Sequence, residues 1–193
     1  SDGLFIDIGA NNGLSALSFY RIQPSYRILS LEVSRYNERD LKNVGRKIEN
    51  FDYRIVGVGN HHSKVTLYTP VYWGVPITLL TSVALEWLKA EVRRTFLPKY
   101  VPKIAYAKQS AEIVPLDKLR DQLSLAPHIV KIDAEGSDMQ ILSGMEHTVA
   151  HYRPYIMLEY SPIHTAALLG FCRKFRYQLF LFNDEQDIYP LVL

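Results

Sequence analysis

The residues of this 193-residue chain with the types and spacing to do chemistry are a glycine-marked turn and a set of carboxylates. The turn comes at once, in FIDIGANNGLS: apolar residues around Asp7, then Gly9, Ala10, Asn11, Asn12 and Gly13, then an apolar run. Two glycines four apart let the backbone take conformations closed to other residues and let another molecule approach it. The amides of a helix starting there face outward with the positive end of the helix dipole, a receptor for a carboxylate or phosphate. The dinucleotide fingerprint is G-x-G-x-x-G, whereas Gly9 and Gly13 give G-x-x-x-G behind an aspartate, which argues against a pyrophosphate. An ordinary strand-to-helix turn without a ligand has the same form.

Glu32 closes the apolar run ILSLE about twenty residues after the turn, where an open α/β sheet has its ligand crevice and an acid can accept both hydroxyls of a ribose. Asp133 and Glu135 follow the run IVKI, and Glu159 ends YIMLE. Three strands thereby aim acids at one rim, and Asp7 adds a fourth. Burying so many like charges is costly unless a cation or donors meet them. A competing use is Mg²⁺ held by Asp133, Glu135 and Asp138; no histidine or cysteine cluster points to zinc, and no metal is assigned. His61 and His62 are paired loop histidines, a pattern more often solvated than catalytic.

The elements that must position these groups alternate in the βαβ manner. Strands are expected at 4–8, 28–33, 53–58, 129–133 and 155–159. Helical spacing appears at Leu41, Val44 and Ile48 within 34–48, and at Met139, Leu142, Met145 and Val149. The fold class is therefore α/β, a mostly parallel doubly wound sheet. QLFLF from Gln178 and IYPLVL from Ile188 read as a C-terminal antiparallel hairpin. Strands at 64–68 and 110–114 bracket about forty residues that the minimal fold does not require. In this 70–110 insertion Leu85, Leu88, Val92 and Phe96 recur at helical intervals after Ser82, a candidate N-cap. It reads either as a lid or substrate-binding segment or as a solvated helix and loop.

A chain of this length, 48% hydrophobic, can bury one core and reads as a single domain over 1–193. A net charge of +2 makes no bulk case for nucleic acid. No apolar run is long enough for an integral membrane helix, nothing at Ser1 resembles a signal peptide, and the single Cys172 suits a reducing, cytoplasmic compartment. The first strand starts so close to Ser1 that the chain reads as trimmed, without an upstream helical lid. Oligomeric state is not legible.

DIGANNG (7–13) with LEVS (31–34), VGN (58–60) leading to VTLY (65–68), VPLDKL (114–119) and VKIDAEGSDMQILSGM (130–145) resemble, in order, the FkbM family of methyltransferases. The KIDxEG block with its trailing helix and Gly144 is the most specific part. The resemblance implies a Rossmann-like class I fold using S-adenosylmethionine to methylate an oxygen of a sugar or natural product. Asp7, Gly9, Ala10, Asn11, Asn12 and Gly13 would then hold the amino-acid part, Glu32 and Val33 the ribose, and Asp133 would neighbour the sulfonium. Asn60 stands where the family commonly carries an aspartate that serves the adenine. A general base is open among Glu135, Glu159, His61 and His164. The acceptor implied is a small-molecule or glycan hydroxyl, met by the insertion's Tyr72, Trp73, Trp87, Tyr100 and Tyr106 among its cations. An NAD-type oxidoreductase and a non-catalytic S-adenosylmethionine-binding domain are the alternatives.

Overall fold

A computed structural model describes residues 3–119, 123, 125–134, 136–182 and 188–191. The strand β1 (Leu4–Ile8) is buried along its whole length, as an apolar run at the centre of a parallel sheet must be. Helix α1 (Leu14–Ile22) leads to β2 (Arg27–Glu32), and α2 (Glu38–Gly45) leads to β3 (Phe51–Ile55). These crossovers lay β2 beside β1 and β3 beside β2, all parallel. The chain then leaves the sheet through β4 (Gly57–Val58), β5 (Ser63–Tyr72), β6 (Val75–Pro76), α3 (Leu85–Thr95), β7 (Ile104–Val114) and α4 (Leu116–Leu119). It returns as β8 (Pro127–Ile132) on the other side of β1, and continues through α5 (Asp138–Ser143), α6 (Glu146–Tyr152), β9 (Tyr155–Leu158) and α7 (Thr165–Phe175) to the hairpin β10 (Leu179–Phe182) and β11 (Ile188–Leu191). The sheet order β3-β2-β1-β8-β9 reverses direction between β1 and β8. An open α/β sheet places its ligand crevice at such a point.

Alternation along β1 divides the core. Leu4, Ile6 and Ile8 face a cluster with Val130, Ile132, Ile141, Leu142, Met145, Val149 and the buried Cys172, while Phe5 faces Ala16, Val44 and Ile48. Burial pushes the Cys172 thiol pKa up, as befits an inert core thiol.

Several sequence expectations need correction in their bounds. The third strand stops at Ile55, because Gly57 and Val58 pair instead with β7 in a second sheet of order β4-β7-β5-β6. The helix expected over 34–48 opens as a 3-10 turn, Arg35–Asn37, and α2 ends at Gly45, with Ile48 buried beyond it. The insertion is shorter than 70–110, because the β5–β7 ladder runs out to the pair Tyr72 and Ile104. The residue before α3 is Ala84, whose amide donates to the Ser82 hydroxyl at 3.1 Å, so Ser82 steadies the approach rather than capping the helix.

The helix expected through Met139 and Val149 is two helices. A Cβ on Gly144 would lie 1.9 Å from the Gly59 carbonyl oxygen, so the break sits where the backbone after β4 presses on the helix. Asp117 repairs it: its amide donates to the Gly144 carbonyl, and its carboxylate accepts from the His147 amide (2.9 Å), the Thr148 amide (2.8 Å) and the Thr148 hydroxyl (2.7 Å). The orphan amides opening α6 are thus capped from another element. Asp117→Ala is expected to lower stability by about 1–2 kcal/mol in urea unfolding; an unchanged midpoint would show that water serves those amides equally well.

Candidate active site

Glu32 ends β2 and is nearly buried, yet both carboxylate oxygens are occupied. Oε2 accepts from the Asn11 amide and Oε1 from the Ser34 amide, each at 2.7 Å. One side chain therefore ties the glycine turn to the loop that leaves β2. The turn is also bonded to the sheet, with the Gly9 and Ala10 amides both donating to the Leu31 carbonyl. Gly9 has φ +75°, and a Cβ there would meet the Asp133 carbonyl oxygen at 1.9 Å. No side chain fits between the ends of β1 and β8 at this point.

Asp133 follows β8, and its amide donates to the Ile8 carbonyl at 3.1 Å. Lys131, one turn of the pleat earlier, lies beside Asp7 in the β1–β8 register. Its ammonium is 3.2 Å from both Asp7 Oδ1 and Asp133 Oδ2. Asp7 is therefore not at the rim; it lies wholly buried in mid-strand, and Lys131 is the cation that the acids require. Asp133 keeps half of its side-chain surface, 49%, open.

These strand ends line a cavity of about 230 Å³, at the small end of ligand clefts. Gly9 and Asn11 come from the first turn, Glu32, Val33 and Asn37 from the second, Val56 to Val58 from the third, and Asp133, Ala134 and Ser137 from the fourth. The second sheet adds Leu67 and Ile113, and the insertion adds Thr78, Leu79, Thr81, Ser82 and Val83. That segment is fixed on β5 by the reciprocal amide–carbonyl bonds of Tyr68 and Ser82 and by the Thr69 and Thr81 hydroxyls, 2.9 Å apart. Gln109 on β7 ties the second sheet to the loop after β2, accepting from the Arg35 amide at 3.0 Å.

Of the residues read from sequence, Gly9, Asn11, Glu32, Val33 and Asp133 meet at this cavity. Ala10 is buried behind it, and Asn12 and Gly13 face away, Asn12 Oδ1 accepting from the Leu14 amide at 3.2 Å. One of the amides that open α1 is thus taken by the chain's own asparagine. Asn60 and His61 are exposed and pair with each other at 2.7 Å, His62 pairs with Glu112, and Glu159 is exposed beyond β9. Glu135 lies outside the described residues. Tyr72 and Tyr106 pack the insertion's own core of Leu88, Val92 and Ile104, because α3 has an apolar face to cover, and Trp73, Trp87 and Tyr100 do not line the cavity either. Lys131, Asn37 and the 78–83 segment escaped the sequence reading. The lysine had a signal, a lone cation inside the buried run IVKID.

Burial holds the Asp7 carboxyl above its ordinary value of 3.8, with Lys131 pulling it down. Glu32 is raised above 4.5, burial outweighing the bonds from Ser34, Asn11 and the Asn37 side chain. A carboxyl that holds its proton more tightly when folded contributes stability that is whole below the unfolded pKa and lost as pH rises through the folded one. For Asp7 that window opens near 3.8 and extends upward. The stability difference between wild type and Asp7→Asn should therefore decline as pH is raised across the window in urea titrations. A flat difference would mean that Lys131 keeps Asp7 ionised in both states.

The family profile described as Methyltransferase FkbM domain matches residues 7–180. Among solved structures, the methyltransferase FkbM from Methylobacillus flagellatus superposes with a TM-score of 0.61 at 17% identity, covering 98% of this chain and 44% of that one. The chain thus spans less than half the length of that neighbour, and the likeness is one of fold. Precorrin-6y C5,15-methyltransferase from Geobacter metallireducens matches at a TM-score of 0.48 and 12% identity, over 99% of this chain and 76% of that one. No curated protein matches the sequence. With a profile match that takes in the glycine turn, Glu32 and the strand carrying Lys131 and Asp133, the chain belongs to the FkbM methyltransferase family.

Proposed function

We propose that the cavity holds S-adenosylmethionine and that the protein methylates a hydroxyl oxygen, on a sugar or natural product, within one methyltransferase domain. The observation that carries the cofactor is Glu32. An ionised carboxylate offers about four lone-pair sites. The amides of Asn11 and Ser34 and the side chain of Asn37 take three, so one acceptor site remains for a ribose hydroxyl. Hydroxyl methylation rests on the family resemblance.

When bound, S-adenosylmethionine supplies an electrophilic methyl group. The chain's own contribution is alignment, electrostatics and proton acceptance. Gly9 lets the backbone stand close, Glu32 and Asn37 hold the ribose side, and the half-exposed Asp133 offers a carboxylate to a cationic neighbour or to an acceptor's proton. Lys131 keeps that carboxylate at the rim, 3.2 Å away. We assign the proton-accepting role to Asp133, on the cavity wall, because the sequence candidates His61 and Glu159 would need an acceptor that reaches outside it. Leu79 and Val83, 71% and 54% exposed at the mouth, offer apolar surface to whatever lies against the cofactor.

Titration calorimetry with S-adenosylmethionine and with NAD separates this reading from an oxidoreductase, and methyl transfer to a panel of glycans and hydroxylated natural products separates it from a non-catalytic binder. Binding of S-adenosylmethionine alone is expected. Glu32→Gln should weaken it roughly tenfold to a hundredfold, about 1.5–3 kcal/mol. Tighter binding of NAD, or an affinity indifferent to Glu32, would contradict the assignment.

A further inference from the structure

Beyond the cavity, the insertion ends in a tip that the methyl-transfer reading does not use. Strands β5 and β6 are joined by a two-residue turn, Trp73 and Gly74, with the last pair at Tyr72 and Val75. Both turn residues have positive φ, +52° for Trp73 and +79° for Gly74. Such turns favour Asn-Gly, because a bulky side chain is strained in the left-handed region. Here a tryptophan occupies the strained position with 80% of its surface exposed. Among the described residues, its one ring contact is with the neighbouring Tyr72.

The surroundings are continuous. Trp73 lies 6.2 Å, ring to ring, from Tyr72, which meets Tyr100 edge-on at 5.9 Å, and the Lys99 ammonium stands 4.9 Å over Tyr100. Val75 and Leu97 flank the group at 64% and 61% exposure. Lys103 is the first residue beyond the ladder opposite Trp73, since Tyr72 pairs with Ile104. Residues 73–103 carry five cations and two carboxylates, so the arm is net positive by more than the whole chain's +2. Glu86 and Glu91 are matched within α3 by Lys89 and Arg94, which leaves the surplus on exposed Arg93, Lys99 and Lys103.

We propose that this tip docks on an anionic lipid surface, Trp73, Val75 and Leu97 entering the interfacial region while Lys99 and Lys103 meet the headgroups. Aromatic side chains with an apolar body and a polar edge suit the membrane interface, and cations beside them supply attraction to anionic lipid. The tip is a convex turn, a shape that enters a soft medium and offers no recess to a sugar. Neither Trp73 nor Val75, Leu97, Lys99 or Lys103 lines the cavity. A second copy of this chain would bring two positive tips together. The proposal concerns a surface apart from the cavity, so it stands or falls separately from the cofactor assignment.

The test is co-sedimentation of the whole chain with phosphatidylcholine vesicles, with and without about a third phosphatidylserine, as salt is varied. Binding to the anionic vesicles that weakens with salt is expected. Trp73→Asn, which suits the turn, should lower partitioning about tenfold with circular dichroism unchanged, and Lys99→Gln and Lys103→Gln roughly fivefold each. Equal binding by Trp73→Asn, no preference for anionic vesicles, or a concentration-dependent dimer that Trp73→Asn dissolves without any effect on vesicles would overturn the proposal.

Discussion

Asp7, Lys131 and Asp133 place one cation between two carboxylates at the point where the sheet reverses direction, and the rim of the cleft depends on that arrangement. Register puts Asp7 and Lys131 side by side on β1 and β8, on the face that also carries Phe5. Asp7 is completely buried, so its charge is costly, and an ammonium 3.2 Å away on the neighbouring strand offsets part of that cost. The same ammonium reaches outward to Asp133 at the same distance. Interior charge and rim charge are thereby linked through a single side chain. Removing Lys131 would leave one carboxylate buried without its partner and another unanchored where the ligand is proposed to sit.

Glu32 does on β2 what Lys131 does on β8, with backbone amides as its partners. By accepting from Asn11 and Ser34 it fixes two loops against one strand end, and Gln109 extends the connection to the second sheet. The cleft is therefore walled by elements that are tied to one another before any ligand arrives, which lowers the ordering cost of binding. The insertion completes the wall through residues 78–83, held on β5 by paired backbone bonds. Its distal tip is a separate surface with its own chemistry.

Much of this was legible because it is periodic or punctuated. The fully apolar run of β1 and the glycines after it announced a buried strand and a close turn, and the carboxylates of Glu32 and Asp133 stood out at the ends of such runs. What escaped depends on contacts distant in sequence. Asp7 resembled a rim residue until its register with Lys131 was known. The break at Gly144 comes from the backbone at Gly59, and the cap that repairs it comes from Asp117, neither of which helical spacing can reveal. The insertion's aromatics looked like a substrate platform, but Tyr72 and Tyr106 answer to the apolar face of α3 instead. Short polar stretches such as 78–83 carry no periodicity, so their place on the cavity wall follows from bonding to β5 alone.

The central claim, that S-adenosylmethionine lies among the ends of β1, β2 and β8, is tested most directly by amide-resolved hydrogen exchange with and without that compound. The account predicts slowed exchange at Gly9 to Asn11, at Glu32 to Asn37 and at Asp133, Ala134 and Ser137, the backbone that borders the cavity. Protection concentrated instead at Leu14, Leu17 and Asn43, in the shallow groove between α1 and α2, or absent throughout, would contradict it.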